Sequence, residues 1–207
     1  MNKRFFLIAA FVLVTLSINA QTENSIEESV EINGVRWATC NVDAPGTFTK
    51  NPEDAGMYYQ WNRKKAWGTT ENVTDWDATK PEGSEWEKVN DPSPVGYRVP
   101  TSEEITSLLD TSKVTNEWIT TENGVTGRKF TDIATGKSLF FPATGYRNSS
   151  NGVLGYVGSS GHYWSTTQNN NNPFALGSAY SLGISSSFVG MGYTAPNFGR
   201  SVRCVVE

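Results

Sequence analysis

The sequence predicts an α+β domain in which many short strands are joined by long loops and one segment is clearly helical. Three observations lead there. Val30, Ile32, Val35, Trp37 and Ala38 flank Asn33-Gly34, a pair suited to a tight antiparallel hairpin. After Pro100, Thr101 and Glu104 have the spacing of a capping box, and Ile105, Leu108 and Leu109 continue as one apolar stripe. Beyond Gly127 the chain breaks into short β-branched and aromatic runs separated by Gly, Asn and Ser.

The elements follow in order. Lys3 and Arg4 precede an apolar run ending at Leu16, and the small residue Ala20 precedes Gln21. This is the layout of a secretory signal peptide over 1–20, and the apolar run is shorter than the ~20 residues a membrane span needs. Residues 21–29 read as a flexible polar leader, and 30–207 as one folded domain. Residues 56–61 look strand-like. The stretch from Trp67 to Asp91 is a long loop, and Trp76 and Trp86 within it are anchors that suggest an ordered excursion. The helix comes next, and strands are expected over 128–133, 138–142, 163–167, 179–184 and 201–206.

Charge excludes several functions. The 207 residues carry Lys+Arg 17 against Asp+Glu 21, and the one basic cluster is Arg63-Lys64-Lys65. Nucleic acid is therefore not an expected partner. From Ile133 onward the only acid is Glu207, so the second half holds neither a glycosidase carboxylate pair nor a carboxylate cage for calcium. Asp75 and Asp77 resemble the opening of a calcium loop, but Lys80 stands where the glycine belongs, and a solvated acidic loop is the plainer reading. A single histidine, His162, rules out a zinc site built on several imidazoles, and no G-x-S-x-G accompanies it. Gly152, Gly155 and Gly158 have no helix behind them to form a phosphate loop, and no cofactor is expected. The two cysteines, Cys40 and Cys204, are far apart in sequence. In an exported chain they are a candidate disulfide, or else two buried thiols.

Three stretches carry a family resemblance: Val35-Arg36-Trp37-Ala38-Thr39 with Asn41-Val42; Asp91-Pro92-Ser93-Pro94-Val95-Gly96-Tyr97-Arg98-Val99-Pro100-Thr101; and Gly199-Arg200-Ser201-Val202-Arg203-Cys204-Val205. With Phe141-Pro142-Ala143-Thr144-Gly145-Tyr146-Arg147 and Tyr163-Trp164-Ser165-Thr166-Thr167 between them, the chain resembles the Fibrobacter succinogenes major paralogous domain family of exported bacterial proteins. The resemblance implies a C-type-lectin-like fold, shared with formylglycine-generating enzymes, in which the first and last strands pair and one or two helices flank small sheets. It also implies a cysteine where Ser93 stands, as the usual partner of Cys204. With that cysteine missing, Cys40 is the remaining candidate.

These readings lead to an exported, non-enzymatic, calcium-independent binding module for a glycan or another envelope protein. Tyr156, His162, Asn170, Asn171 and Tyr193 are its candidate contacts, by stacking and hydrogen bonding, although each also suits a turn or a core. The alternatives are an enzyme using Cys40 and Cys204 as a thiol pair, and a purely structural surface domain.

Overall fold

The computed structural model describes residues 29–170 and 177–207. The expected signal peptide and all of the leader except Ser29 lie outside them, as does Asn171. Ser29 is itself the first residue of a strand. The chain opens with the hairpin β1 (Ser29–Ile32) and β2 (Val35–Ala38), turned by Asn33 at φ 47° and Gly34 at φ 78°. Both central residues have positive φ, as the tightest hairpin turn demands. The Asn33 backbone N–H donates to the Asp132 carboxylate at 2.8 Å, which ties this turn to the middle of the chain.

β3 (Tyr58–Tyr59) and β4 (Ala66–Trp67) form a two-stranded ribbon. The long excursion then runs to a single 3₁₀ turn at Lys88–Asn90. Trp76 packs on Trp67 with ring centroids 4.7 Å apart, and Trp86 meets Trp61 edge-on at 5.6 Å. The aromatics thus anchor the loop, as their presence in it suggests. After β5 (Tyr97–Arg98) comes α1 (Ser102–Ser107), whose Thr101 and Glu104 form the complete reciprocal capping box.

The second half is a series of antiparallel ladders. β6 (Val114–Thr120), β7 (Thr126–Asp132) and β8 (Ser138–Pro142) form one sheet; β9 (Tyr146–Arg147) and β10 (Leu154–Gly155) form a ribbon. β11 (Ser160–Asn169), β12 (Ser178–Ser185) and β13 (Val189–Thr194) form a second three-stranded sheet. The last strand, β14 (Val205–Val206), enters the first sheet between β2 and β5, giving the order β1-β2-β14-β5.

This architecture corrects the expected α+β, C-type-lectin-like class. The fold is β-rich, with 40% of the chain in strands and 5% helical. α1 is the one α-helix among the described residues, and its six residues are too few to make a helical layer. Two further departures have local causes. The expected strand over 201–206 survives only as Val205–Val206, because residues 199–203 make isolated bridges to β3, β9 and β11 instead of one continuous ladder. β13 was not expected, because Gly190 and Gly192 read as turn residues; here they sit in regular register opposite Gly183 and Ser181.

The main core gathers Ile32, Trp37, Ile105, Leu108, Phe130, Phe141, Tyr163, Leu182, Ile184 and Val205 from three sheets and the helix with its C-cap. Phe141 is its hub, with Trp37, Phe130 and Tyr163 all edge-on at 5.9, 5.4 and 4.8 Å. A smaller aromatic core joins Trp61 and Trp164. The Trp61 indole N–H donates to Ser165 O at 2.9 Å, and that of Trp164 to Tyr59 O at 2.7 Å. Both rings are buried without orphaning a donor.

Four buried arginines complete the interior. Arg147, Arg203, Arg128 and Arg200 are 0%, 1%, 7% and 8% exposed, and among the described residues none forms an ion pair. Carbonyl oxygens take the place of carboxylates. Arg147 donates to Gly68 O, Thr70 O and Gly152 O; Arg203 donates to Ala38 O, Thr39 O and Pro52 O, and to Asn41 Oδ1 at 2.8 Å. Each guanidinium also lies over an aromatic ring, at 5.3 Å over Tyr58 for Arg147 and 5.1 Å over Phe141 for Arg203. Loops that run too irregularly to satisfy their own carbonyls are stapled to the core in this way.

Candidate binding cleft

A cleft of about 830 Å³ lies between the 84–101 segment and the end of β11. Its position follows from how the chain is tied locally. Asp91 accepts from the backbone N–H of Ser93 at 2.8 Å and of Val99 at 3.1 Å, which holds the 91–99 turn in shape. Gln168 of β11 donates to Gly83 O at 3.2 Å and so fixes the opposite lip. Thr167 Oγ1 accepts from the Ser102 N–H at 3.0 Å, joining β11 to the first turn of α1.

Between these ties the walls carry Trp86 and Tyr97 as aromatic surface, and Thr166, Gln168 and Asn170 as hydroxyl and amide groups. The Trp86 indole N–H is buried without a partner. The charges of the walls are largely matched within the protein. Arg98 pairs bidentately with Glu104 at 2.6 and 2.7 Å, and Lys88 pairs with Glu207 at 3.2 Å. Lys64 and Glu85 also line the cleft and form no ion pair among the described residues; the aromatic wall facing amides and hydroxyls is chemistry suited to a polyhydroxylated ligand.

The contacts expected from sequence fall in different places. Asn170 lines this cleft, and the other described candidates do not. Tyr156 and His162 meet through Tyr146: Tyr156 stacks on it at 5.2 Å and His162 lies edge-on at 5.1 Å. Tyr193, 51% exposed on β13, lies edge-on to Tyr180 at 6.3 Å. The four described candidates are therefore not one site. Trp86 and Tyr97 are the cleft residues that the sequence reading left out as contacts, although Trp86 had stood out as a loop anchor.

His162 is set up for packing rather than for acid–base work. Burial and the nearby Arg200 guanidinium push its pKa down to about 3. An unfolded histidine titrates near 6.5, so between pH 6.5 and 3 the unfolded chain binds the proton and the native chain does not. Stability is therefore full above pH 6.5 and falls by up to about 1.4 kcal/mol per pH unit below it. In His162→Gln that part of the acid sensitivity should vanish, as read from denaturant midpoints at pH 7, 5.5 and 4. An unchanged pH profile in the variant would show that His162 is not the source.

The expected Cys40–Cys204 bridge is not present, since both thiols are free and buried. The register explains this. Ala38 donates its N–H to Cys204 O at 2.9 Å, so Ala38 rather than Cys40 is the neighbour of Cys204 on β2. The Cys204 thiol instead donates to Ser93 Oγ at 3.0 Å, and burial raises its pKa. Among the described residues no group of three His, Cys, Asp or Glu is placed to hold a metal ion. Asp77 of the acidic loop binds Arg63 at 2.6 Å and caps the Thr79 N–H at 2.9 Å.

Residues 115–205 match a family model described as a domain of unknown function (DUF8237), which spans β6 to β14 and leaves out the N-terminal hairpin and the long excursion. No curated protein and no solved structure matches the chain.

Proposed function

We propose that this chain is an exported, non-enzymatic binding module whose cleft takes a neutral saccharide without calcium. The observation that carries the reading is the cleft wall itself: Trp86 and Tyr97 supply faces for stacking, and Thr166, Gln168 and Asn170 supply hydrogen-bonding groups beside them. Export is inferred from the n-region, apolar run and small residue at 1–20. The thiol-enzyme alternative is weakened by the placement of its residues, with Cys204 bonded to Ser93 and its pKa raised.

A glycan array probed with the mature chain, followed by calorimetric titration of the best neutral oligosaccharide, tests the reading. Trp86→Ala and the exposed-side-chain variant Asn170→Ala should each weaken binding by tenfold or more. Excess EDTA should leave both the affinity and the melting temperature unchanged. A calcium-dependent rise of several degrees in melting temperature would place a metal in the acidic 75–91 loop and overturn calcium independence. Undiminished binding by both cleft variants would remove the cleft from the function.

A further inference from the structure

Among the described residues, four other than glycine adopt positive φ: Asn33, Asn62, Asp75 and Tyr156. Asn and Asp tolerate this conformation best, and their presence needs no explanation. Tyr156, at φ 63°, is the exception. Glycine would suit its backbone, yet the position carries a large ring.

The turn that holds it is fixed from several sides. Gly158 N–H donates to Ala143 O at 2.7 Å, Leu154 N–H to Glu71 O at 2.9 Å, and the Ser159 and Ser160 N–H groups to Tyr156 O at 3.1 and 3.0 Å. Gly145 lets the turn sit directly on its backbone, where a Cβ would come within 2.1 Å of Gly155 O. The strain is thus over-determined by the surroundings, as is usual where an unusual backbone serves a site.

The ring is presented rather than buried. Tyr156 is 63% exposed, and beside it Val157 is 59% exposed. Tyr146 supports the ring from one side, nearly parallel at 15°, and is itself held by His162 and Phe198. The segment around it lacks charge, although Glu71 lies against Leu154 on its flank. From Asn148 to Gly199 the sequence contains no Lys, Arg, Asp or Glu, although the chain has 38 such residues in all, by adding its 17 basic and 21 acidic ones. The buried Arg200 lies behind this cluster and is 8% exposed. A rigid, outward aromatic face on an uncharged segment is suited to the C–H face of an uncharged pyranose.

We infer that Tyr156 is a stacking platform for neutral polysaccharide, a second contact outside the Trp86 cleft. The inference rests on the saccharide reading of the module and adds a surface to it. Its strained backbone supplies an unusual test, because Tyr156→Gly relieves strain while removing the ring.

The mature chain is pulled down on insoluble cellulose, xylan and starch, with heparin beads as the charged control. Tyr156→Gly should keep or raise the melting temperature and lose at least tenfold of the retention on whichever neutral polymer binds the parent. Tyr156→Phe should retain binding, and Tyr156→Leu, which keeps bulk without a planar ring, should lose it. Retention by Tyr156→Gly equal to the parent's, while Trp86→Ala loses it, overturns the platform and leaves the cleft reading standing. A fall of more than about 5 °C in Tyr156→Gly together with full binding by Tyr156→Leu assigns the ring to packing and also overturns it. No retention of the parent on any neutral polymer overturns both.

Discussion

Ser93→Cys is expected to form a disulfide with Cys204 and to stabilise the domain more than any other single change we foresee. The Ser93 Oγ and Cys204 Sγ are 3.0 Å apart, about 1 Å beyond an S–S bond, so closure needs only a small adjustment. The two residues are 111 apart in sequence, and constraining so long a loop is worth on the order of 4–5 kcal/mol in the chain-entropy model, less any strain. The oxidised variant should melt about 10 °C above its reduced form. Intact mass should show the loss of two hydrogens, with Cys40 the one thiol still labelled after unfolding. Two or more titratable thiols in the unreduced variant, or equal melting of both redox forms, would defeat the expectation.

Arg203→Lys is expected to cost about 3–5 kcal/mol, although it conserves charge. The guanidinium of Arg203 reaches Asn41 Oδ1 and three carbonyl oxygens from residues 38, 39 and 52 in one planar fork. An ammonium on a flexible stem cannot span them, and each carbonyl left unmade in the interior carries a desolvation penalty. Arg36→Lys, at an exposed position on β2, is the control and should lie within about 0.5 kcal/mol of the parent. Urea midpoints of the two variants decide the matter. A loss under about 1 kcal/mol in Arg203→Lys would mean that the 38–52 loop holds itself.

Local signals were legible in the sequence where a short motif fixes the backbone by itself. Asn33-Gly34 produced the first hairpin, and Thr101 with Glu104 produced the helix start with its reciprocal bonds. The strand Ser138–Pro142 was readable to the residue. What was not legible depends on contacts between distant segments. Arg147 and Arg203 look like surplus cations in a charge count, and only the fold shows them bonded to loop carbonyls. The cleft joins residues 84–101 to 166–170, so that Trp86 and Asn170 come together although neither announces the other. The expected α+β class follows from the family resemblance and from one well-capped helix, whereas strands of two residues leave almost no periodicity to read against it.

The insertion of β14 between β2 and β5 also governs when the protein can fold. Trp37 pairs with Val205, and Arg98 pairs with that same residue from the other side, so the middle of the first sheet is closed by a strand remote in sequence from both neighbours. The β1–β2 hairpin emerges early but has no neighbour on its inner edge until β14 is synthesised. Such non-local closure makes folding slow, because the loop entropy is spent before the contact rewards it.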